Sequence, residues 1–322
     1  MKIGLIDVDG YKYPNLPLMK LSAYHKQQGD IVEWYSNLGG KYDIVYKSKV
    51  FSFTDDYKYP IHAKKVIKGG TGYCIKLVNG REIYNKENDT QLPDEIEHIY
   101  PDYSIYSEYT KDTAYGFLTR GCPRGCDFCH VKDKEGLCSR KVANLSEFWR
   151  GQKNIVLCDP NLIACKDWKS LLQQLIDSKA WIDINQGIDI RMMTEEKAEM
   201  IKQLKIKRIH FAWDRYEDKE LIVPKFKMFR DITKFTRAKL TVFCLVNFNT
   251  TFEQDLERVE ILKSLDYQPY VMIYDKEHID RNSNVYKLFA WCNAPMYFNS
   301  CTFDEFSKNH KSKKVKHSRS LF

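Results

Sequence analysis

Three cysteines lie close together in the segment GFLTRGCPRGCDFCHV. Cys122, Cys126 and Cys129 have the spacing C-x3-C-x2-C and follow a short apolar run, whereas the other seven cysteines of the chain are scattered. Clustered thiols in a reducing compartment usually hold a metal or form a redox centre. Three such thiolates suit an iron–sulfur cluster whose fourth iron has no protein ligand and is therefore open to a substrate or cofactor.

A zinc site is the alternative use of these thiols. Structural zinc usually takes paired C-x2-C units or a fourth Cys or His at a set spacing, and His130 or Cys138 could complete such a set. The protein would then be a non-enzymatic zinc-binding interaction protein. We expect the remaining cysteines to pack as small apolar side chains or to be otherwise structural: Cys74, Cys158, Cys165, Cys244, Cys292 and Cys301.

The elements that must position these thiols form a repeating pattern. From residue 113 onward six apolar runs recur, namely AYGFLT, NIVLCD, WIDINQ, RIHFAWD, LTVFCLVNF and YVMIYD. Amphipathic stretches such as DWKSLLQQLIDSKA, TEEKAEMIKQL and FEQDLERVEILKSL lie between them. Strand–helix alternation six times over predicts an α/β fold, either a βα barrel or an open doubly wound sheet. In both forms the active groups lie at the carboxyl ends of the strands.

Polar residues follow each of these runs. Taken singly, such a residue is most often a helix cap or a turn residue. Taken together, polar groups at six successive strand ends predict the lining of a pocket. The candidates are Asp159, Asn161, Gln186, Asp189, Arg191, Asp214, Asn247, Asn249, Asp275 and His278.

Residues 113–290 resemble the radical S-adenosylmethionine superfamily. The resemblance rests on the cysteine spacing, its position after a first strand, the aromatic Phe128 before the last cysteine, and the six-fold pattern behind it. It implies a partial (β/α)6 TIM-like barrel. It also implies a 4Fe–4S cluster held by Cys122, Cys126 and Cys129, with S-adenosylmethionine chelating the open iron. One electron would then cleave S-adenosylmethionine to a 5′-deoxyadenosyl radical, which abstracts a substrate hydrogen.

The resemblance also assigns roles to the strand-end residues. Where the superfamily keeps a short motif, often Gly-Gly-Glu, this chain has Asp-Pro-Asn, which is a departure from the pattern. Arginine is a natural partner for the methionine carboxylate. The expected cofactor contacts are Phe128, Asp159, Asn161, Gln186, Asp189 and Arg191, and the expected substrate contacts are Asp214, Asn247 and Asp275. A one-electron donor such as flavodoxin or ferredoxin would be a partner.

The first hundred residues predict a small Rossmann-like α/β domain. KIGLIDV, IVEWYS, YDIVYKSKVF and KKVIKGG are typical of strands in a parallel sheet, and PNLPLMKLSAYHKQQGD is typical of a helix. Such a domain resembles the cobalamin-binding domain of one branch of these enzymes. The ligand motif D-x-H-x-x-G is missing, and His25 and His62 are isolated, so we expect no cobalamin. The turn with Gly69, Gly70 and Gly72 could cradle a phosphate.

These patterns predict three parts of the chain. Residues 1–105 form the cobalamin-binding-like domain, residues 106–300 the core barrel, and residues 301–322 a basic tail. The polar, Tyr- and Pro-rich text between about 85 and 112 predicts a linker or wrap-around segment.

Charge and composition limit the partners. The chain has 322 residues and a formal charge of +8, of which Lys308, Lys311, Lys313, Lys314, Lys316 and Arg319 supply +6, so residues 1–307 carry only +2. This does not favour a nucleic-acid partner, although a radical enzyme that modifies RNA (such as tRNA) or a peptide is an alternative. We expect no membrane span and a cytoplasmic protein, because MKIGLIDVDG reaches Asp7 before any signal-like segment.

The substrate follows least directly from the sequence. Phrases such as PNLPLMKLSAYHKQQGD and DPNLIACKDWKSLLQQL resemble short radical enzymes of anaerobes, a group near the queuine lyases, which release a 7-deazaguanine base. We therefore expect a small, polar, heterocyclic substrate.

Overall fold

A computed structural model of the chain describes residues 1–10, 13–78 and 81–309. The chain divides into two compact units, Met1–Ile188 with Glu199–Lys207, and Asp189–Ala198 with Arg208–Phe322. Within the described residues no helix has the length and apolar character needed to cross a membrane. Most of the predicted basic tail, from residue 310 onward, lies outside the described residues. The three predicted domain limits stay a prediction.

The first unit begins with a four-stranded parallel sheet. Its elements are β1 (Lys2–Asp7), α1 (Leu16–Gln27), β2 (Ile31–Trp34), β3 (Tyr42–Ser48) and β4 (Ala63–Gly69). The strand order is β2-β1-β3-β4, with every neighbouring pair parallel. The predicted parallel α/β layer is confirmed. Helix α1 starts where the Asn15 side chain accepts a hydrogen bond from the Leu18 backbone N–H.

Apolar residues on both faces hold this sheet in place. One buried cluster joins Ile3 and Leu5 of β1 to Leu18 and Leu21 of α1. The other face packs Ile6 against Tyr42 and Val45 of β3. Strand β1 is therefore covered on both faces, whereas β4 has no buried residue.

The segment after β4 contains only short elements. They are α2 (Thr71–Cys74), the antiparallel hairpin of β5 (Ile75–Val78) and β6 (Arg81–Tyr84), α3 (Asp94–Glu97) and α4 (Ser107–Thr110). Ile96 packs into the cluster around β1, and the Tyr106 hydroxyl donates to Asp7 at 2.6 Å. Ile96 and Tyr106 thus pack this part of the chain against the sheet, whereas Leu77 and Ile83 of the hairpin are exposed.

The first unit continues through the cysteine segment into a second parallel sheet. The elements are β7 (Thr113–Gly116), β8 (Thr119–Arg120), α5 (Val131–Lys134), β9 (Arg140–Lys141), β10 (Asn154–Leu157), α6 (Trp168–Ser178) and β11 (Trp181–Ile188). Strand β10 pairs in parallel with β7 on one side and with β11 on the other. Leu171, Leu172 and Leu175 are the buried residues of α6.

The remaining elements repeat the strand–helix alternation. They are α7 (Glu195–Lys202), β12 (Lys205–Ala212), α8 (Lys219–Thr233), β13 (Leu240–Val246), α9 (Phe252–Ser264), β14 (Gln268–Ile273), α10 (Asn284–Cys292), α11 (Pro295–Ser300) and α12 (Phe303–Asn309). Strand β13 pairs in parallel with β12 and β14. The fold is thus α/β with parallel sheets, and each of the six predicted strands is present. Closure into a partial (β/α)6 barrel stays a prediction.

Candidate functional site

The cysteine loop, residues 121–139, connects the two strands of a short antiparallel hairpin. Strand β8 pairs with β9, and the three cysteines lie in the connection between them. Gly121 has φ +86°, and a Cβ at that position would lie 2.2 Å from the Cys138 carbonyl oxygen. Only glycine fits this turn without moving the backbone. The two ends of the loop are therefore held in contact.

Glu135 closes the base of the loop. Its carboxylate accepts hydrogen bonds from the Arg120 guanidinium and from the Gly121 backbone N–H, each at 2.9 Å. Its backbone carbonyl accepts a further bond from Arg140 at 2.7 Å. Glu135 lies beyond the cysteine motif and is not one of the predicted site residues. A glutamate just before a glycine in a long loop does not, from sequence alone, indicate a residue that closes the loop.

The three thiols of the loop are half-buried. The Cys129 backbone N–H donates to the Cys126 carbonyl at 3.2 Å. Burial raises the pKa of Cys129 to about 11, and the nearby Cys126 and Cys122 thiols add to the rise. Within residues 1–10, 13–78 and 81–309, no group of three His, Cys, Asp or Glu side chains is arranged to hold a metal ion. The iron–sulfur cluster therefore stays a prediction.

His130 and Cys138, which could complete a zinc site, have other contacts in the structure. His130 Nδ1 lies 2.5 Å from the Glu82 carboxylate on β6. The Cys138 thiol is exposed and contacts the Ser139 carbonyl at 3.7 Å.

Asp159 lies just beyond the end of β10 and is fully buried. Its carboxylate accepts hydrogen bonds from the backbone N–H groups of Leu118 and Thr119 and from the Thr119 hydroxyl. Burial raises the pKa of Asp159 to about 6, although these hydrogen bonds oppose the rise. Asp159 thus fixes the strand that leads into the cysteine loop. Its predicted contact with the cofactor stays a prediction.

Asn161 is 1% exposed and lies against the cysteine loop. Its side-chain nitrogen is 3.6 Å from the Cys122 sulfur, and its backbone carbonyl accepts a bond from the Ser139 hydroxyl at 2.9 Å. The Asn161 Oδ1 atom is buried and has no hydrogen-bond partner among the described residues. Such an atom is costly unless a ligand satisfies it. The other two predicted cofactor contacts of this unit are half-buried Phe128 and exposed Gln186.

In the second unit, Asp189 and Arg191 lie together. The Arg191 Nε donates to Asp189 at 2.7 Å, and its Nη1 donates to Asp218 at 2.6 Å. The paired carboxylates raise the pKa of Arg191, although burial opposes them. Asp218 was not predicted. Its position in the segment DRYED, after β12, gives no distinct signal of this pairing.

The three predicted substrate contacts also have partners within the chain. Asp214 accepts a bond from the Leu245 N–H at 3.0 Å, and burial raises its pKa. Asn247 and Asp275 have positive φ angles of 63° and 53°, so both occupy left-handed turns at strand ends. Asp275 also pairs with His278 at 2.7 Å.

One face of the sheet formed by β7, β10 and β11 carries polar and aromatic side chains that the sequence reasoning missed. Tyr115 and Asp183 are both in register with Val156 of β10, and Asn185 follows two residues later. The Asn185 side chain donates to the Tyr13 hydroxyl at 2.8 Å, and the Tyr13 ring meets Tyr115 edge-on at 6.1 Å. In the sequence, the alternation of Ile with Asp and Asn in WIDIN indicates a strand with one apolar face and one polar face.

No protein-family model and no curated protein match the chain. Among solved structures, the chain is similar to the crystal structure of Streptococcus suis SuiB bound to S-adenosylmethionine, with a TM-score of 0.37 and 12% sequence identity. The match covers 71% of this chain and 60% of that chain, so this chain spans less than two thirds of that protein. A likeness of this degree does not identify a function.

Proposed function

We propose that the protein is a radical S-adenosylmethionine enzyme that acts on a small polar substrate. The observation that carries the proposal is the cysteine loop. Three half-buried thiols lie in one connection that Glu135 closes, and the Asn161 amide lies against Cys122.

The residues of the loop fit an iron–sulfur cluster by their chemistry. Cys122, Cys126 and Cys129 would supply three thiolate ligands and leave one iron without a protein ligand. The unpaired Asn161 Oδ1 would accept a hydrogen bond from a donor beside Cys122. Such a cluster would supply the electron that breaks the sulfonium C–S bond of S-adenosylmethionine, which gives methionine and a 5′-deoxyadenosyl radical.

Contacts within the chain fix the loop and the strand before it. Glu135 and Gly121 keep the ends of the loop together, and Asp159 fixes the preceding strand. Because burial raises the pKa of Cys129, its thiol must lose a proton before it can act as a thiolate ligand.

The polar face of β7, β10 and β11 supports a planar heterocyclic substrate. Tyr13 and Tyr115 offer aromatic surfaces, while Asp183 and Asn185 offer an acceptor and an amide on the same face. Such groups discriminate between polar rings because a wrong ligand leaves them unpaired. Queuine is the first substrate to test, in a lyase reaction that breaks a C–N bond and releases a 7-deazaguanine. Flavodoxin or ferredoxin would supply the electron.

Anaerobic reconstitution tests the cluster. The wild-type protein should bind about four irons and four sulfides and release 5′-deoxyadenosine from S-adenosylmethionine when reduced. Replacing Cys122, Cys126 or Cys129 by Ala should abolish both properties. Cys138→Ala is the matched control and should keep both. Preferential zinc binding at the triad, with both metals present, would contradict the proposal and favour the zinc-binding interaction protein.

A second assay tests the substrate. Production of 5′-deoxyadenosine should rise with free queuine and should not require a tRNA that contains queuosine. A rise only with the tRNA would replace the small-molecule proposal by an RNA-modifying one. Tyr13→Phe, which loses the hydroxyl that Asn185 contacts, should raise the substrate KM more than it lowers kcat.

A further inference from the structure

Three lysine ammonium groups surround one aromatic ring in the N-terminal layer. Lys47, Lys49 and Lys68 place their Nζ atoms 5.5, 5.7 and 5.6 Å from the centroid of the Tyr73 ring. Lys47 and Lys49 lie at the carboxyl end of β3, and Lys68 lies at the carboxyl end of the neighbouring β4. Ligands of open parallel sheets bind at this edge.

The charges of this lysine cluster are only partly balanced. Lys47 pairs with Asp56 at 2.9 Å, and Asp56 also accepts the Tyr73 hydroxyl. Lys49 is 9% exposed, and the contact given for its ammonium is the face of the Tyr73 ring. Asp56 is the one carboxylate paired with these three ammonium groups among the described residues, so a bound anion would offset the repulsion between them.

The glycine-rich turn packs closely against Lys49. Gly70 has φ +100°, and a Cβ there would lie 2.4 Å from the Lys49 carbonyl oxygen. A Cβ on Gly72 would lie 2.6 Å from both Lys49 Cγ and the Phe51 carbonyl oxygen. The turn predicted to cradle a phosphate is thus filled at these two glycines by the chain itself. The lysine side chains are the groups that remain to meet an anion.

Two exposed phenylalanines follow Lys49 closely in the chain. Phe51 and Phe53 are 41% and 66% exposed, and their rings stack at 5.2 Å with an angle of 21° between their planes. The Asp9 carboxylate accepts the backbone N–H groups of Val50 and Phe51, which fixes the start of this segment. Exposed aromatic rings beside lysines are the combination that binds nucleotides, because bases stack while phosphates pair.

We propose that Lys47, Lys49 and Lys68 bind the phosphate of a nucleotide whose base stacks on Phe51 and Phe53. The site lies outside the cysteine loop, and no step of the proposed radical chemistry depends on it. Loss of either function therefore leaves the other measurable.

Thermal unfolding in phosphate and in chloride at equal ionic strength tests the anion site. A ligand that binds only the folded state raises the unfolding midpoint, so wild type should unfold at a higher temperature in phosphate. Lys49→Met and the exposed Lys68→Met should each remove most of this rise. Lys65→Met is the matched control, because Lys65 is an exposed lysine of β4 outside the cluster. Equal midpoints in the two salts, or a full rise in Lys49→Met, would overturn the proposal.

Calorimetric titration with AMP, inorganic phosphate and a short single-stranded RNA tests the base. AMP should bind about tenfold more tightly than inorganic phosphate, and Phe53→Ala should remove that advantage while leaving phosphate binding unchanged. AMP binding no tighter than phosphate would refute the stacking. RNA that binds more tightly than AMP, and competes with it, identifies a strand as the source of the nucleotide. If the RNA binds no more tightly than AMP, the ligand is identified as a free nucleotide.

Discussion

The side-chain nitrogen of Asn161 lies 3.6 Å from the sulfur of Cys122. Asn161 follows β10, and Cys122 follows β8, so this contact joins the end of a sheet strand to the first cysteine of the loop. The amide also presents an oxygen that is buried and, among the described residues, unpaired. A ligand beside Cys122 would therefore meet a fixed polar group.

Asn161→Ala should weaken binding of S-adenosylmethionine while the iron content stays near that of the wild type. Loss of one hydrogen bond to a charged group costs about 1.5–3 kcal/mol, or roughly ten- to hundred-fold in affinity. Equilibrium binding to the reconstituted protein measures the effect. Asn144→Ala serves as the control, since Asn144 caps a short helix outside the loop. Unchanged affinity in Asn161→Ala would remove this residue from the site.

Asp159→Ala should destabilise the fold by about 1–3 kcal/mol, because it leaves buried donors of Leu118 and Thr119 without an acceptor. Thr119→Val removes only the hydroxyl donor and should cost less. Urea unfolding of the two variants measures the difference. A wild-type midpoint for Asp159→Ala would show that the carboxylate is not needed to hold the strand.

Much of the fold was predictable because its signals are local. Apolar runs bounded by turns marked β1, β3, β10 and β13 correctly. Helix α8 was not predicted, because Pro224 lies within its sequence and proline disfavours a helix interior. In the structure Ile222, Phe226 and Phe229 are buried along this helix and hold it despite the proline.

The candidate site was predictable only in part. The cysteine spacing is a local pattern, but the partners of Asp159 and Arg191 depend on which strand ends and loops come together. Arg258 shows this limit. It is fully buried, pairs with Asp255, and donates to the carbonyl oxygens of Trp213 and Leu245. Two charged residues three positions apart on a helix are more often a solvated pair, so the sequence did not indicate this role.

Asp7→Asn should stabilise the protein at neutral pH and much less at pH 4. Burial raises the pKa of Asp7 to about 7, although the Tyr106 hydroxyl opposes the rise. The folded chain thus binds a proton that the unfolded chain has lost, so wild-type stability falls as pH rises from about 4 to about 7. At roughly 1.4 kcal/mol per pKa unit, the difference reaches up to about 4 kcal/mol. Urea unfolding of both proteins at pH 4 and pH 8 measures it, and equal differences at the two pH values would contradict the raised pKa.

Gly121→Ala should separate the two ends of the cysteine loop, which are in contact at Gly121 and Cys138. The substitution brings a Cβ to 2.2 Å from the Cys138 carbonyl oxygen and also strains a backbone with φ +86°. Gly136→Ala is the matched control, because Gly136 lies in the same loop with φ +95° and a Cβ there would meet no described atom within 4 Å. The control carries the backbone strain of about 1–2 kcal/mol without the clash. We expect iron binding after reconstitution to be largely lost in Gly121→Ala and largely retained in Gly136→Ala. Equal iron content in the two variants would show that contact between the loop ends is not what holds the three thiols in place.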